Sequence, residues 1–458
     1  MQSNRTPAYT TDQVRDAVAA ILPEVRVHLE DLVRIPSVSA DPARADDVRR
    51  SAELTADLFR AEGFDDVRIA SVEGGAPAVI ARSPAPPGAC TVLLYAHHDV
   101  QPTGDRSEWE TEPFEPTERA GRLYGRGAAD DKAGIAAHLA AVKALRLLAP
   151  DGQLPVGVTV FVEGEEEVGS PTLARFLAEH RDLLAADVIV IADSTNWEIG
   201  VPALTTTLRG NVDLVVEVST LGHGVHSGMW GGLVPDALMA LTRLLASLHD
   251  DDGSVAVEGL VRGPASDLDY PEERIREESS VLDSVSLIGR GSAVERLWTQ
   301  PSITVVGIDT TRIAEASNTL IPRARAKVSL RLAPGDTADN GIAALIRHLE
   351  THAPWGAQVQ ITTGRESGEP GVIDADGPVY DVAREAFTQA WDGVRPVDIG
   401  VGGSIPFIAA FQEAFPEAAV LVTGVEDPDT RAHGANEGLH LAEFARVCLA
   451  EALLLQSL

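Results

Sequence analysis

Cysteine is nearly absent from this sequence. Two residues in 458, Cys90 and Cys448, cannot build a disulfide framework, and so sparse a usage suits a reducing compartment. Long apolar runs are missing as well: no window reaches the roughly 18 uninterrupted apolar residues that a membrane span needs. Met1 to Thr11 is polar and lacks the basic-then-apolar order of a secretory signal. Basic residues are scarce, 37 Lys and Arg against 69 Asp and Glu, for a net charge of −32. Binding to phosphate-rich partners needs a concentrated basic field, so neither nucleic acid nor an anionic membrane surface is expected as a partner. The expectation is a cytoplasmic protein.

What is present describes a globular chain. Hydrophobic residues make up 44% of the sequence, and the length exceeds what one ordinary core accommodates, which predicts two domains. Thr11 to Arg34 and Asp46 to Glu62 read as amphipathic helices. Strand-like runs at Cys90 to Ala96, Val156 to Val162 and Val188 to Ala192 alternate with helices from about Lys132 to Leu148 and from Pro171. Short Val-, Leu- and Ile-rich runs between turns are the mark of strands buried on both faces, and their interleaving with helices predicts an α/β sheet, partly parallel.

From about Thr205 the texture changes. Asn211 to Ser219 alternates apolar and polar residues, as a half-buried antiparallel strand does. A helix at Pro235 to His249, strands at Ile303 to Gly307 and Arg325 to Leu332, and a helix near Asn340 to His352 follow, with a polar stretch from Asp250 to Thr299 that matches no template. After Val372 the α/β texture returns, with a helix at Val379 to Trp391 and a strand at Ala419 to Val422. The fold class expected is therefore α/β with two domains: a discontinuous catalytic sheet domain, 1–204 and 373–458, and an inserted smaller α+β domain, 205–372.

In open α/β sheets the site lies beyond the carboxyl ends of the strands. Those ends carry a consistent chemistry here. The first runs into His97-His98-Asp99, the next into Glu163-Gly-Glu165-Glu166-Glu167, the third into Asp193, and the last is followed by His433. Mixed His and carboxylate is the donor set that zinc and similar ions prefer. His97 and Asp99 share a side of an extended segment, so Asp99 can hold the second ring nitrogen of a ligating His97. Asp130 and Asp131 open the helix of Ile135, Leu139 and Val142, where an acidic cap is also the ordinary reading. Gly125 and Gly127 start a dinucleotide fingerprint that Asp130 breaks at its third glycine. Of adjacent Glu166 and Glu167, one can ligate while the other accepts a proton. Singly, each residue has a plain structural explanation; jointly, at one sheet edge, they point to a metal centre.

These motifs resemble those of metallopeptidase family 20, which includes carnosinase-like dipeptidases, carboxypeptidase G, aminoacylase and succinyl-diaminopimelate desuccinylase. Tyr95-Ala-His-His-Asp-Val-Gln-Pro102, Leu123-Tyr-Gly-Arg-Gly-Ala-Ala-Asp-Asp-Lys132, Glu166-Glu167-Val-Gly-Ser170, Asp193, His226-Ser-Gly228, Gly402-Gly-Ser-Ile-Pro406 and His433-Gly-Ala-Asn-Glu437 occur in the family's order. The resemblance implies two divalent ions per subunit, zinc first, with manganese or cobalt as alternatives. It implies that His97 and Asp193 bind one ion, Glu167 and His433 the other, and that Asp130 bridges them. Asp99 would orient His97, and Glu166 would be the general base that deprotonates the attacking water. His226 would reach the site of a neighbouring subunit and stabilise the oxyanion in a homodimer formed through the inserted domain, a lid and dimerisation domain. Asn318, Arg331 and Ser404 would contact substrate, Arg331 through a carboxylate.

Two departures bear on substrate. Gly400 and Val401 stand where dipeptidases of this type often carry Arg-Glu, which opens the question of how a free substrate amino group is recognised. Ala96 replaces a frequent Gly. The long Asp250 to Thr299 stretch favours the dipeptidase-like branch. The leading expectation is hydrolysis of dipeptides or short peptides. An N-acyl amino acid deacylase is the alternative, and a non-catalytic binding protein of the same fold is a third reading.

Overall fold

The computed structural model describes residues 7–263, 268–402 and 406–458, without the side chains of 365, 366 and 406. By contact density the chain divides into two compact units, Met1–Thr206 with Ile373–Ile399 and Phe407–Leu458, and Thr207–Val372 with Gly400–Pro406.

The first unit is built on a six-stranded sheet in the order Asp66–Ala70, Ala78–Ser83, Gly157–Glu163, Thr91–His97, Val188–Ile191, Ala419–Val422. The last four are mutually parallel. They are also the four runs whose uniform hydrophobicity marks two-sided burial: every residue of Gly157–Glu163 and of Val188–Ile191 is buried. Register aligns their carboxyl ends, with His97 opposite Glu163, Tyr95 opposite Ile191, and Val422 opposite Ile191. The other two strands pair antiparallel; Asp66–Ala70 is partly polar and not buried, and Ala78–Ser83 turns polar at Arg82 and Ser83, so neither reads as a buried run.

Helices cover the sheet. Thr11–Val33 begins at a capping box, in which Thr10 accepts from the Gln13 N–H while the Gln13 side chain accepts from the Thr10 N–H. Lys132–Leu148 is nearly all buried, its cap being Asp131, which accepts from the Gly134 N–H. The helix after the acidic turn starts at Leu173 rather than Pro171. Its N-cap is Thr172, whose N–H and hydroxyl donate to Glu165 at 2.8 and 2.6 Å. The C-terminal helix Leu441–Ser457 is apolar on nearly all sides and buried, so it has no amphipathic stripe to read.

The second unit is α+β. Four antiparallel strands lie in the order Ser302–Asp309, Arg323–Leu332, Gly210–Ser219, Gln358–Gly368. Along Gly210–Ser219 burial alternates strictly, and Leu214, Val216, Val328 and Leu330 pack with Leu241, Leu244 and Leu345 of helices Ala237–Ala246 and Ala338–Thr351. Within the polar Asp250 to Thr299 stretch the described residues form a helix at Glu272–Ser279 and a π-helical turn at Glu295–Thr299. No helix among the described residues is long and apolar enough to cross a membrane.

Candidate metal centre

The parallel strands release their polar residues at one edge, and the site follows from that placement. His97 ends the Thr91–His97 strand and is fully buried. Its Nε2 lies 3.1 Å from Asp130 Oδ1, 3.8 Å from Asp193 Oδ2 and 3.9 Å from Glu166 Oε2. His433 Nε2 lies 3.1 Å from Asp130 Oδ2 and 3.3 Å from Glu167 Oε2. Two donor groups result, His97–Asp130–Asp193 and Asp130–Glu167–His433, each with its atoms within 4.8 Å. Asp130 belongs to both. Asp131 takes the helix cap and leaves Asp130 free to face the site.

The Asp99 contact differs in detail from the expected second-nitrogen bond. His97 Nδ1 is 3.0 Å from the Asp99 backbone oxygen and 3.5 Å from its carboxylate. The carboxylate accepts the N–H groups of Glu166 and Glu167 at 3.2 and 3.1 Å. Asp99 thereby joins the first His to the acidic turn, and Gln101 secures Glu167 by donating its N–H at 3.0 Å and its amide at 2.8 Å.

One organiser escaped the sequence reading. The fully buried Glu437 accepts from the N–H groups of Gly127, Ala129 and Asp130 at 2.9, 2.9 and 3.1 Å, and from Arg126 Nη1 at 2.7 Å. Arg126 Nη2 in turn donates to the Gly434 carbonyl at 2.9 Å. The loops of Asp130 and His433 are thus tied through a buried ion pair. Its spacing of 311 residues in sequence left no local signal. Arg431, His433 and Asn436 all have φ near 60°, a left-handed conformation that costs of order 1–3 kcal/mol per residue. Asn436 offsets this by accepting from the Glu110 N–H and donating to the Glu108 carbonyl, both at 2.8 Å.

The electrostatics are those of a site built around cations. Burial, then the charges of Asp130 and Glu167, push Asp193 up to about 7. Burial, followed by the fields of Asp193 and Glu167, also lifts Glu166 well above the carboxylate range, against the opposing pull of His97. Asp130 goes the other way: burial would raise it, but hydrogen bonds to His433 and His97 hold it low. Those bonds to Asp130 and Glu167 carry His433 up to about 11. Carboxylates this crowded share too few protons and imidazoles to be neutralised, and a nitrogen–oxygen donor set sharing one carboxylate fits a pair of divalent ions.

Comparison with known proteins now bears on this geometry. The profile described as Peptidase family M20/M25/M40 matches residues 93–457. The chain is 34% identical over 429 residues to the cysteinylglycine-S-conjugate dipeptidase of Corynebacterium striatum, covering 93% of each chain. The chain belongs to this peptidase family. It is also 30% identical to the beta-Ala-His dipeptidase of Homo sapiens, over 90% of this chain and 85% of that one. Human carnosine dipeptidase 1 superposes with a TM-score of 0.80 at 27% identity, covering 99% of both chains. The di-peptidase Dug1p of Saccharomyces cerevisiae shares the fold at a TM-score of 0.79 and 24% identity, over 98% of both.

The remaining residues of interest in this family member lie in the second unit. His226 and Asn318 are brought side by side by a two-residue ribbon: His226 pairs with Thr319, and the Ser227 N–H donates to the Asn318 carbonyl at 2.8 Å. Both are exposed. His226 Nδ1 accepts the Gly228 N–H at 3.0 Å, which leaves Nε2 outward. Arg331 is half-buried on Arg323–Leu332. Beside it stands Arg209, which the sequence reading passed over; burial, then the charge of Arg331, lower it to about 10. Arg209 spends its donors on the Gly402 carbonyl and Ser302 Oγ, at 3.3 and 3.1 Å. Ser404 lies outside the described residues.

Proposed function

We propose that this chain is a two-metal dipeptidase in which Glu166 moves the proton. The supporting observation is Asp130, one carboxylate shared between two His-containing donor groups. His97 and Asp193 would hold one ion, Glu167 and His433 the other, with zinc the ion such donors favour. Bound ions would polarise the scissile carbonyl and ease ionisation of the attacking water. Glu166 then accepts one proton from that water as its oxygen adds to the carbonyl carbon. The same carboxyl returns the proton to the amide nitrogen as the C–N bond breaks, giving two amino acids. Asp99 keeps Glu166 in reach by holding its N–H.

The second unit is assigned substrate recognition. Arg331 receives the carboxy terminus of the dipeptide, its charge reinforced by Arg209; among the described residues no carboxylate pairs with either guanidinium. Asn318 and Ser404 are assigned the same task of substrate contact. His226 supplies its free Nε2 to the oxyanion of a partner subunit's reaction, in a homodimer built through this unit, and the site is cytoplasmic.

Metal analysis of the purified protein, followed by metal stripping and a substrate panel with zinc, manganese or cobalt restored, tests this reading. Free dipeptides should be turned over and N-acetyl or N-succinyl amino acids should not. Turnover of acyl substrates alone would make the chain a deacylase, a result that the uncharged Gly400 and Val401 would then explain. Stoichiometric metal without hydrolysis of either class would make it a binding protein.

A further inference from the structure

One carboxylate beside the metal centre has no role in the mechanism above. Glu426 follows the Ala419–Val422 strand and lies within the fields of Asp130, Asp193, Glu437 and His433, behind which burial is the main reason its carboxyl is held well above the usual range. It is not part of either donor group. Among the described residues, no hydrogen bond or ion pair reaches its carboxylate, and the residue as a whole is only partly buried.

The backbone fixes its position. Glu426 bridges to Thr195, two residues past Asp193. The Asn196 N–H donates to the Glu426 carbonyl at 2.9 Å, and the Asn196 amide spans the carbonyls of Gly424 and Glu426 at 3.1 and 3.4 Å. At Gly424 a Cβ would fall 1.5 Å from the Ser194 carbonyl oxygen, so only glycine permits this approach. The segment is tied to the loop that carries Asp193, and Glu426 is held beside the ligands.

Charge balance says what Glu426 lacks. Two divalent ions exceed the three ligand carboxylates, Asp130, Glu167 and Asp193, by a single charge, which ionised Glu166 cancels; buried Asp99 is separately held by His97 and the N–H groups of Glu166 and Glu167. Glu426 is then left over, and a recessed carboxylate without a cation is costly. A dipeptide brings the missing charge to the right place: its ammonium nitrogen is two bonds, about 2.5 Å, from the carbonyl carbon under attack. An N-acylated substrate presents no charge there and leaves Glu426 unpaired.

We propose that Glu426 is the residue that binds the free ammonium of the substrate and so makes this site select dipeptides over N-acyl amino acids. This rests on the dipeptidase reading and answers the question left by uncharged Gly400 and Val401.

The test compares alanyl-glycine with its des-amino analogue propionyl-glycine on the metal-loaded enzyme and on Glu426→Gln and Glu426→Asp, with metal content and thermal midpoint measured for each. The ratio of kcat/KM for the two substrates should fall about 10- to 100-fold in Glu426→Gln, the usual worth of a charged hydrogen bond. Glu426→Asp should recover part of it, and both variants should keep their metal. An unchanged ratio, or loss of metal from Glu426→Gln, overturns the proposal. The wild-type ratio separately judges the dipeptidase reading, because preference for the propionyl substrate would remove that reading and this inference together.

Discussion

At the scale of single residues, the site divides labour among carboxylates of identical chemistry by what surrounds them. Asp130 accepts from two imidazoles and is held low; Asp193 and Glu166, which lack such donors, are raised by burial. Glu166→Gln keeps the shape of the side chain but cannot accept a proton. Its kcat should fall about 10²- to 10⁴-fold with metal stoichiometry unchanged in elemental analysis; a normal rate would remove Glu166 as the base. His97, Glu167, Asp193 and His433 were each visible as polar residues at or after a strand end. The pairing of Glu437 and the place of Arg209, between two strands, were not, because partners far off in sequence leave no pattern in a residue's own neighbourhood.

At the scale of elements, the helix Lys132–Leu148 and the C-terminal helix are joined beneath the metal strand by a buried pair. His138 Nδ1 lies 2.8 Å from Glu451, and Nε2 lies 3.0 Å from the Tyr95 carbonyl. A carboxylate and a carbonyl facing the two ring nitrogens favour the imidazolium form of His138. Burial opposes that charge, but Glu451 and the Tyr95 carbonyl raise the imidazole above its ordinary 6.5. A raised folded value means that the group's contribution is complete below about pH 6.5 and is lost as pH climbs through the raised value. Thermal melts of wild type should therefore lose stability on that alkaline side more steeply than those of His138→Gln. Glu451→Ala, which strands the imidazolium in the core, should cost about 3–5 kcal/mol in chemical denaturation; a loss below about 1 kcal/mol would show that the pair holds nothing together.

At the scale of the whole molecule, the proposed dimer makes a prediction that no monomer shares. If His226 serves the partner's site, Glu166→Gln and His226→Ala subunits complement one another, because a mixed dimer contains one site with an intact base and an intact histidine from across the interface. Random re-association of equal amounts should restore about a quarter of wild-type activity, since half the dimers are mixed and each has one complete site. Activity that remains at the level of the separate variants would place His226 in the service of its own chain.

Sequence alone determined the parallel strands, the main helices and the chemistry of the sheet edge, because two-sided burial writes a continuous apolar run and the polar residue ending it stands out against that run. It also contained the family's motifs in order. The antiparallel strands and the C-terminal helix lacked such contrast, the former interrupted by polar residues, the latter apolar on nearly every side. Tertiary structure decided which partners each acid faces. Asp130 and Asp131 are indistinguishable as neighbours in sequence, and only the helix that starts at Lys132 makes one a cap and frees the other to face both histidines. It likewise decided that Glu426, whose own neighbourhood in sequence carries no signal, is bridged through Thr195 to the loop of Asp193. Contacts between residues hundreds of positions apart depend on how strands align, and alignment is a property of the packed sheet, not of either segment.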